Sequence, residues 1–203
     1  MMRSSSAAAG PIGAILAGGR SRRMGVDKAL VPVGGIPMIQ WIVAALEVVV
    51  DDVVIVGRDE PLAGIPAIPD LRPRPRGPLA GLVTALHHAA GRPVLLVAVD
   101  QPLVHPATLQ GLVDLLDRDA VVPVDGGFRQ STCAAYPAGW AAEADLEDRS
   151  GGSIQSLLDR LPYREVGPQE WSAWGEDGRS WYSVDTPEKA AAVLDRYASA
   201  GRP

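Results

Sequence analysis

Four short apolar runs constrain this chain most: Ile12 to Leu16, Val53 to Val56, Val94 to Val99 and Ala120 to Val124. Each is short, aliphatic and without polar alternation, the pattern of a strand covered on both faces. Between them, apolar residues recur at helical spacing. Met38, Trp41, Ile42, Ala45, Leu46 and Val49 share one face after Pro37, a residue suited to a helix start. Leu79, Leu82, Val83 and Leu86 form a second stripe, and Ala107 to Leu116 predicts another helix. Strands alternating with helices predict a mainly parallel sheet with right-handed crossovers.

After Gly126 the rhythm changes. Arg129 to Tyr136 reads as an antiparallel strand, Ser153 to Leu161 as a helix, Tyr163 to Val166 as a strand and Pro187 to Tyr197 as a closing helix. The segment Pro168 to Trp181 reads as irregular. No internal repeat or low-complexity linker divides the 203 residues, a length suited to one domain with a sizeable core. The expected fold class is α/β: a single three-layer α/β/α, Rossmann-like domain whose mainly parallel sheet includes an antiparallel strand.

The loop after the first strand carries the densest chemistry: Leu16-Ala17-Gly18-Gly19-Arg20-Ser21-Arg22-Arg23-Met24-Gly25-Val26-Asp27-Lys28. Glycines let backbone N–H groups come close to a bound group, and successive N–H groups form a concave anion site. Arginine adds forked donors to phosphate oxygens and lysine a compact charge. A polyphosphate fits such a loop. It is not a Walker loop, because Val26 and Asp27 separate Gly25 from Lys28, and adjacent Gly18 and Gly19 break the dinucleotide fingerprint.

Ligands of an open α/β sheet bind beyond the carboxyl ends of its strands. The loop and Asp100, in Val97-Ala98-Val99-Asp100-Gln101-Pro102, are expected to share that edge. Asp100 is then a candidate Mg²⁺ ligand, since Mg²⁺ takes few carboxylates and keeps substrate phosphates as partners; the alternative is a helix-capping role. A third landmark is Asp70-Leu71-Arg72-Pro73-Arg74-Pro75-Arg76-Gly77-Pro78-Leu79-Ala80-Gly81, whose arginines alternate with prolines that would hold them extended toward solvent. They are placed either to receive a substrate phosphate or simply to be solvated. His87 and His88 are adjacent, so on a helix they diverge and form no metal pair. They and His105 read as structural or solvent-facing, and no Ser/His/Asp or Cys/His arrangement is present.

The net charge of -5 argues against a general nucleic-acid binder. The single cysteine, Cys133, cannot form an internal disulfide and suits a reducing compartment. Ser21-Arg22-Arg23 echoes a twin-arginine signal, but Gly25, Asp27 and Lys28 follow where an apolar region would begin. No apolar stretch nears the roughly 20 residues that cross a bilayer, so a cytoplasmic location without membrane attachment is expected.

The first loop resembles the signature L-A-G-G-x-S-x-R-M-G-x-D-K of molybdenum cofactor guanylyltransferases, the MobA-like nucleotidyltransferases, and the resemblance runs from Ile12 to about Tyr197. It implies a nucleotidyltransferase domain over residues 11–198, with 1–10 a disordered N-terminal tail and 199–203 a C-terminal tail. It implies Mg²⁺-dependent transfer of GMP from GTP to the phosphate of molybdopterin or its molybdenum form. Arg23, Lys28 and Asp100 would be catalytic, with Arg23 and Lys28 stabilising charge rather than exchanging protons. Leu16, Ala17, Gly18, Gly19, Lys28, Asp70 and Asp100 would hold the nucleotide, Gly19 leaving room for a purine. Gly77 to Gly81 would form a loop beside base and ribose, and Asp70 would contact the nucleoside.

Ser183-Val184-Asp185-Thr186-Pro187-Glu188 is similar to the family's Asn-x-Asn-Thr-Pro-Glu motif with both asparagines replaced. Asp185 would be a second Mg²⁺ ligand, or would lie in the N-cap region of the last helix, with Thr186 capping. Implied partners are GTP and molybdopterin as substrates, then molybdenum-insertion proteins and apo-molybdoenzymes. Asp100-Gln101-Pro102 and Asp185 also resemble the cytidylyltransferase branch, and Gly57 stands where the guanylyl branch often carries asparagine. CTP therefore stays open as the donor. So do a sugar phosphate or another phosphorylated acceptor, and a non-catalytic nucleotide-binding scaffold.

Overall fold

The computed structural model describes residues 10–18, 27–72 and 77–196. Its elements in chain order are β1 (Ile12–Leu16), β2 (Pro32–Val33), β3 (Ile36–Pro37), α1 (Met38–Glu47), β4 (Asp52–Val56), β5 (Ala67–Ile68), α2 (Gly77–His88) and β6 (Val94–Ala98). They continue with α3 (Pro106–Asp114), β7 (Ala120–Asp125), β8 (Phe128–Arg129), β9 (Cys133–Tyr136), α4 (Ala141–Arg149), α5 (Ile154–Arg160), β10 (Tyr163–Val166), α6 (Pro168–Trp171) and α7 (Pro187–Arg196). β2 and β3 form a separate hairpin.

The main sheet runs β10-β7-β9-β6-β1-β4-β5, with β8 paired to β7. β1 pairs in parallel with both β4 and β6, and β10 with β7, whereas β9 lies antiparallel between β6 and β7. Alternation along each strand splits the core into two layers. Ile12, Ala14, Val54, Leu96 and Val122 face one layer with Leu82 and Leu86 of α2. Ile15, Ile55, Leu95, Val97 and Val121 face the other with Ile42 and Leu46 of α1 and Leu109 of α3. The expected three-layer α/β/α architecture is what forms.

A smaller apolar cluster of Val33, Met38, Trp41, Val184 and Val193 docks α7 on the β2–β3 hairpin and α1. No described helix is long and apolar enough to cross a membrane.

The single strand expected over Arg129 to Tyr136 is two strands. Val121 and Val124 of β7 are three positions apart, but their partners Ala135 and Arg129 are six apart. The three extra residues, 130–132, form a bulge at the sheet's carboxyl edge, which bends the returning arm across to β6. Gly126 and Gly127, both at positive φ, make the tight reversal that starts this arm.

The segment expected to be irregular holds α6 and two single 3₁₀ turns. Trp171 and Trp181 pack edge to face at 5.3 Å and bond Val124 O and Asp125 Oδ2 through their indole N–H groups. α4 was not anticipated: of its nine residues only Ala144 and Glu147 are buried, too little apolar surface to reveal a period.

Candidate active site

The chain passes from β1 to β4 on one side and returns to β6 on the other, so the strand order reverses at the carboxyl ends of β1 and β6. Crevices at such switch points are where open α/β sheets hold ligands. Here the crevice is a cleft of about 270 Å³ lined by Leu16, Gly18, Lys28, Asp70, Gly77, Pro78, Gly81, Ala98, Val99, Asp100 and Thr132. Five of the residues expected from sequence therefore meet: Leu16, Gly18, Lys28, Asp70 and Asp100. Ala17 packs toward the α1–α3 layer instead, and its N–H is bonded to Val56 O. Gly19 and Arg23 lie outside the described residues, as do Arg74 and Arg76.

At the centre of the cleft edge, Lys28 Nζ donates to Asp100 Oδ2 at 3.0 Å. Lys28 opens a single 3₁₀ turn whose N-cap, Asp27, accepts from Ala29 N at 3.1 Å and pairs with Arg58. Asp27 is thus a structural cap that aims its neighbour. Asp100 follows β6 in a tight turn and accepts a second bond on the same oxygen, from Ser183 Oγ at 2.9 Å. Its carbonyl accepts from Val184 N at 2.7 Å, so the segment before α7 closes over it. Both side-chain bonds fall on Oδ2, and Oδ1 has no protein partner among the described residues.

Asp185 does not line the cleft. It is exposed and pairs with Lys189 at 2.7 Å one helical turn on, and Lys189 Nζ also donates to Ser183 O. The hydrogen bond from Lys189 holds the Asp185 carboxyl below the usual range, with the Lys28 charge a minor further cause. Thr186 Oγ1 accepts from Lys189 N at 3.3 Å and Pro187 opens α7, the capping arrangement read from the sequence.

Gly18 and Gly57 cross at the cleft floor. A Cβ on Gly18 would stand 2.7 Å from Gly57 Cα and 3.2 Å from Asp70 Oδ2. Gly57 is also at φ +90. The backbone crossing thus gives a structural reason for glycine at this position. Burial, and after it the nearby Asp148 charge, raise the Asp70 pKa above the ordinary carboxylate value.

Two expectations need correction. Gly77 to Gly81 is the first turn of α2, not a loop; Pro78 fits the start of a helix, and Gly81 lets α2 approach Leu16 closely. The helix thus presents its N-terminus, with its positive dipole, to the cleft. Arg72 does not extend into solvent: it hydrogen-bonds Asp145 at 2.5 Å and lies in ion-pair contact with Asp148, both on α4.

Gln101 is buried at 4% exposure, with its Oε1 accepting from Ala98 N at 3.2 Å. His87 and His88 end α2 exposed, and His105 precedes α3. Sequence reasoning missed Thr132, Arg58 and the role of Ser183. Ser183 stands where the family motif has an asparagine, which gives no sign that its side chain reaches Asp100.

Residues 13–166 match the MobA-like NTP transferase domain. The chain belongs to the MobA-like NTP transferase family. Among its relatives is the probable molybdenum cofactor guanylyltransferase of Pelotomaculum thermopropionicum, 39% identical over 199 residues, covering 94% of this chain and 96% of the relative. The protein of the same name from Natronomonas pharaonis is 34% identical over 203 residues, covering 91% of this chain and 96% of the relative. The crystal structure of molybdopterin-guanine dinucleotide biosynthesis protein A from Archaeoglobus fulgidus superposes with a TM-score of 0.76 at 25% identity, covering 91% of this chain and 99% of that one. The MobA-like chain described here is thus a nucleotidyltransferase enzyme, and its cleft is where that chemistry is expected.

Proposed function

We propose that the chain transfers GMP from GTP to the phosphate of molybdopterin or its molybdenum form, with pyrophosphate leaving. The observation that carries this reading is the Lys28–Asp100 pair at the mouth of the switch-point cleft, in a chain whose relatives are named for this activity. Gln101, which resembles the cytidylyl branch in sequence, is buried with its Oε1 accepting from Ala98 N, a structural role.

The residues present suit Mg²⁺. Among the described residues Asp100 Oδ1 has no protein partner, and Asp185 is an exposed carboxylate, paired with Lys189, in the segment that caps it. One or two carboxylates are what Mg²⁺ uses when phosphates and water complete its shell. Asp100 would hold the ion, and Asp185, outside the cleft, would become a second carboxylate ligand only by giving up Lys189. When bound it would neutralise phosphate charge around the reacting phosphorus.

Lys28 would exchange its carboxylate partner for a phosphate oxygen and stabilise charge that develops during displacement. Arg23 would act on the same triphosphate. The attacking group is already an ionised phosphate, so positioning and electrostatics suffice and no general base is needed. Gly18 allows close backbone approach, and Asp70 accepts hydrogen bonds from the nucleoside. Purified protein incubated with Mg²⁺, molybdopterin and each of GTP, CTP, ATP and UTP should release pyrophosphate with GTP alone. Faster release with CTP overturns the base assignment, and none with any nucleotide overturns catalysis.

A further inference from the structure

Three consecutive residues after β5 point to three different places. Asp70 lines the cleft, its Oδ2 resting against the Gly18–Gly57 crossing. The Leu71 N–H is fixed to α2: it donates to Thr84 Oγ1 at 2.9 Å, and that buried hydroxyl donates to Ala80 O. Arg72 leaves the cleft altogether and spans Asp145 and Asp148 on α4.

Asp148 is the unusual member. Its side chain is 5% exposed, and Arg72 is its cation. It is also the charge that acts on Asp70, adding to burial in raising the Asp70 pKa. An almost fully buried carboxylate that loses its cation becomes an uncompensated charge, and in a poorly screened site that charge acts on its neighbours. Removing Arg72 would therefore act on the cleft twice: the Asp70 segment would lose its anchor on α4, and the full Asp148 charge would oppose a second carboxylate beside it.

We propose that Arg72 is a positioning residue for nucleoside binding: it straps the segment that carries Asp70 to α4 and neutralises Asp148, the buried carboxylate it is paired with. This rests on the reading of Asp70 as the nucleoside contact. Arg72 touches neither nucleotide nor acceptor. It keeps Asp70 placed and offsets the Asp148 charge that acts on it, so that the Asp70 carboxyl is free to accept hydrogen bonds from a nucleoside edge or ribose diol.

The test is calorimetric titration of the full chain with Mg·GTP and no acceptor, with turnover measured separately at saturating GTP. Arg72→Met should weaken nucleotide affinity about tenfold while kcat stays within about twofold. Asp148→Asn alone should bind as tightly as the parent or more so. The double variant Arg72→Met/Asp148→Asn should recover to within about threefold of the parent, because the uncompensated charge is gone. A purely structural role for Arg72 predicts no such recovery.

Normal affinity in Arg72→Met, or no recovery in a double variant that melts as a folded protein, overturns the proposal. If Arg72→Met does not fold, Arg72→Lys decides. It keeps the charge beside Asp148, so affinity should stay within about threefold of the parent, and a tenfold loss in the folded variant overturns the idea. Asp70→Asn separates the two readings. Unchanged affinity there removes the nucleoside role of Asp70 and the Arg72 role together, whereas weakened binding beside a normal Arg72→Met overturns the Arg72 role alone.

Discussion

Lys28 Nζ and Asp100 Oδ2 stand 3.0 Å apart across 72 positions of chain, with side chains 23% and 28% exposed. Each is the other's partner before substrate arrives, which holds both side chains at the same cleft edge. A polyphosphate offers Lys28 several oxygens in place of one carboxylate. The exchange would leave Ser183 as the remaining partner of Asp100 Oδ2.

Replacing Lys28 by Met or Asp100 by Asn should each lower kcat about 10²- to 10³-fold, the size of effect seen when one preorganised electrostatic contact is removed. The pair is partly exposed, so its contribution to folding is about 0–1 kcal/mol and both variants should melt close to the parent. The double variant should fall short of the product of the two losses, since the groups act together. Pyrophosphate release and thermal melts check all three.

Ser183 shares the Asp100 oxygen with Lys28. Ser183→Ala removes a hydrogen bond to a charged group, an effect of about 1.5–3 kcal/mol when fully expressed, so activity should drop about tenfold or more. Ser183→Asn restores a donor and should keep more activity than Ser183→Ala. Equal loss in the two variants would point to packing of the α7 segment, not to the hydrogen bond.

The Gly18–Gly57 crossing leaves no room for a side chain. Gly57→Ala adds a clash to a left-handed backbone conformation at φ +90, at a cost of about 1–3 kcal/mol from the backbone alone. Its melting temperature should fall by several degrees. Gly57→Asn, though better suited to the backbone angle, should fall as well, because its Cβ meets Gly18 in the same way.

Glu147 joins α4 to α5: it accepts from Ser156 Oγ at 2.7 Å and pairs with Arg160. The Ser156 hydrogen bond first, then Arg160, hold its pKa below the ordinary 4.5. A carboxylate depressed in the folded state contributes stability that is present above its unfolded value and is lost as pH falls through the folded one. The melting-temperature gap between the parent and Glu147→Gln should therefore be full at neutral pH and close as pH drops below about 4.5. A gap that widens toward acid would contradict this sign.

Local pattern alone determined the central strands. Ile12–Leu16, Asp52–Val56, Val94–Ala98 and Ala120–Asp125 are covered on both faces, so their apolar runs are continuous and stand out in any window. The phosphate loop was legible for a related reason, since its glycines, arginines and lysine are contiguous, and Asp100 could be placed because a parallel strand must deliver its last residue to one edge. α4 was hidden because helix packing and the partners Arg72 and Arg160, not an apolar stripe, hold it. The bulge at 130–132 was hidden because a register offset exists only between strands. Tertiary structure likewise decided that Ser183 reaches Asp100 from 83 positions away and that Arg72 turns from the cleft to α4, 73 positions ahead. Sequence reports what each segment needs to bury and which charges it carries; which distant partner satisfies a given carboxylate depends on how the layers pack.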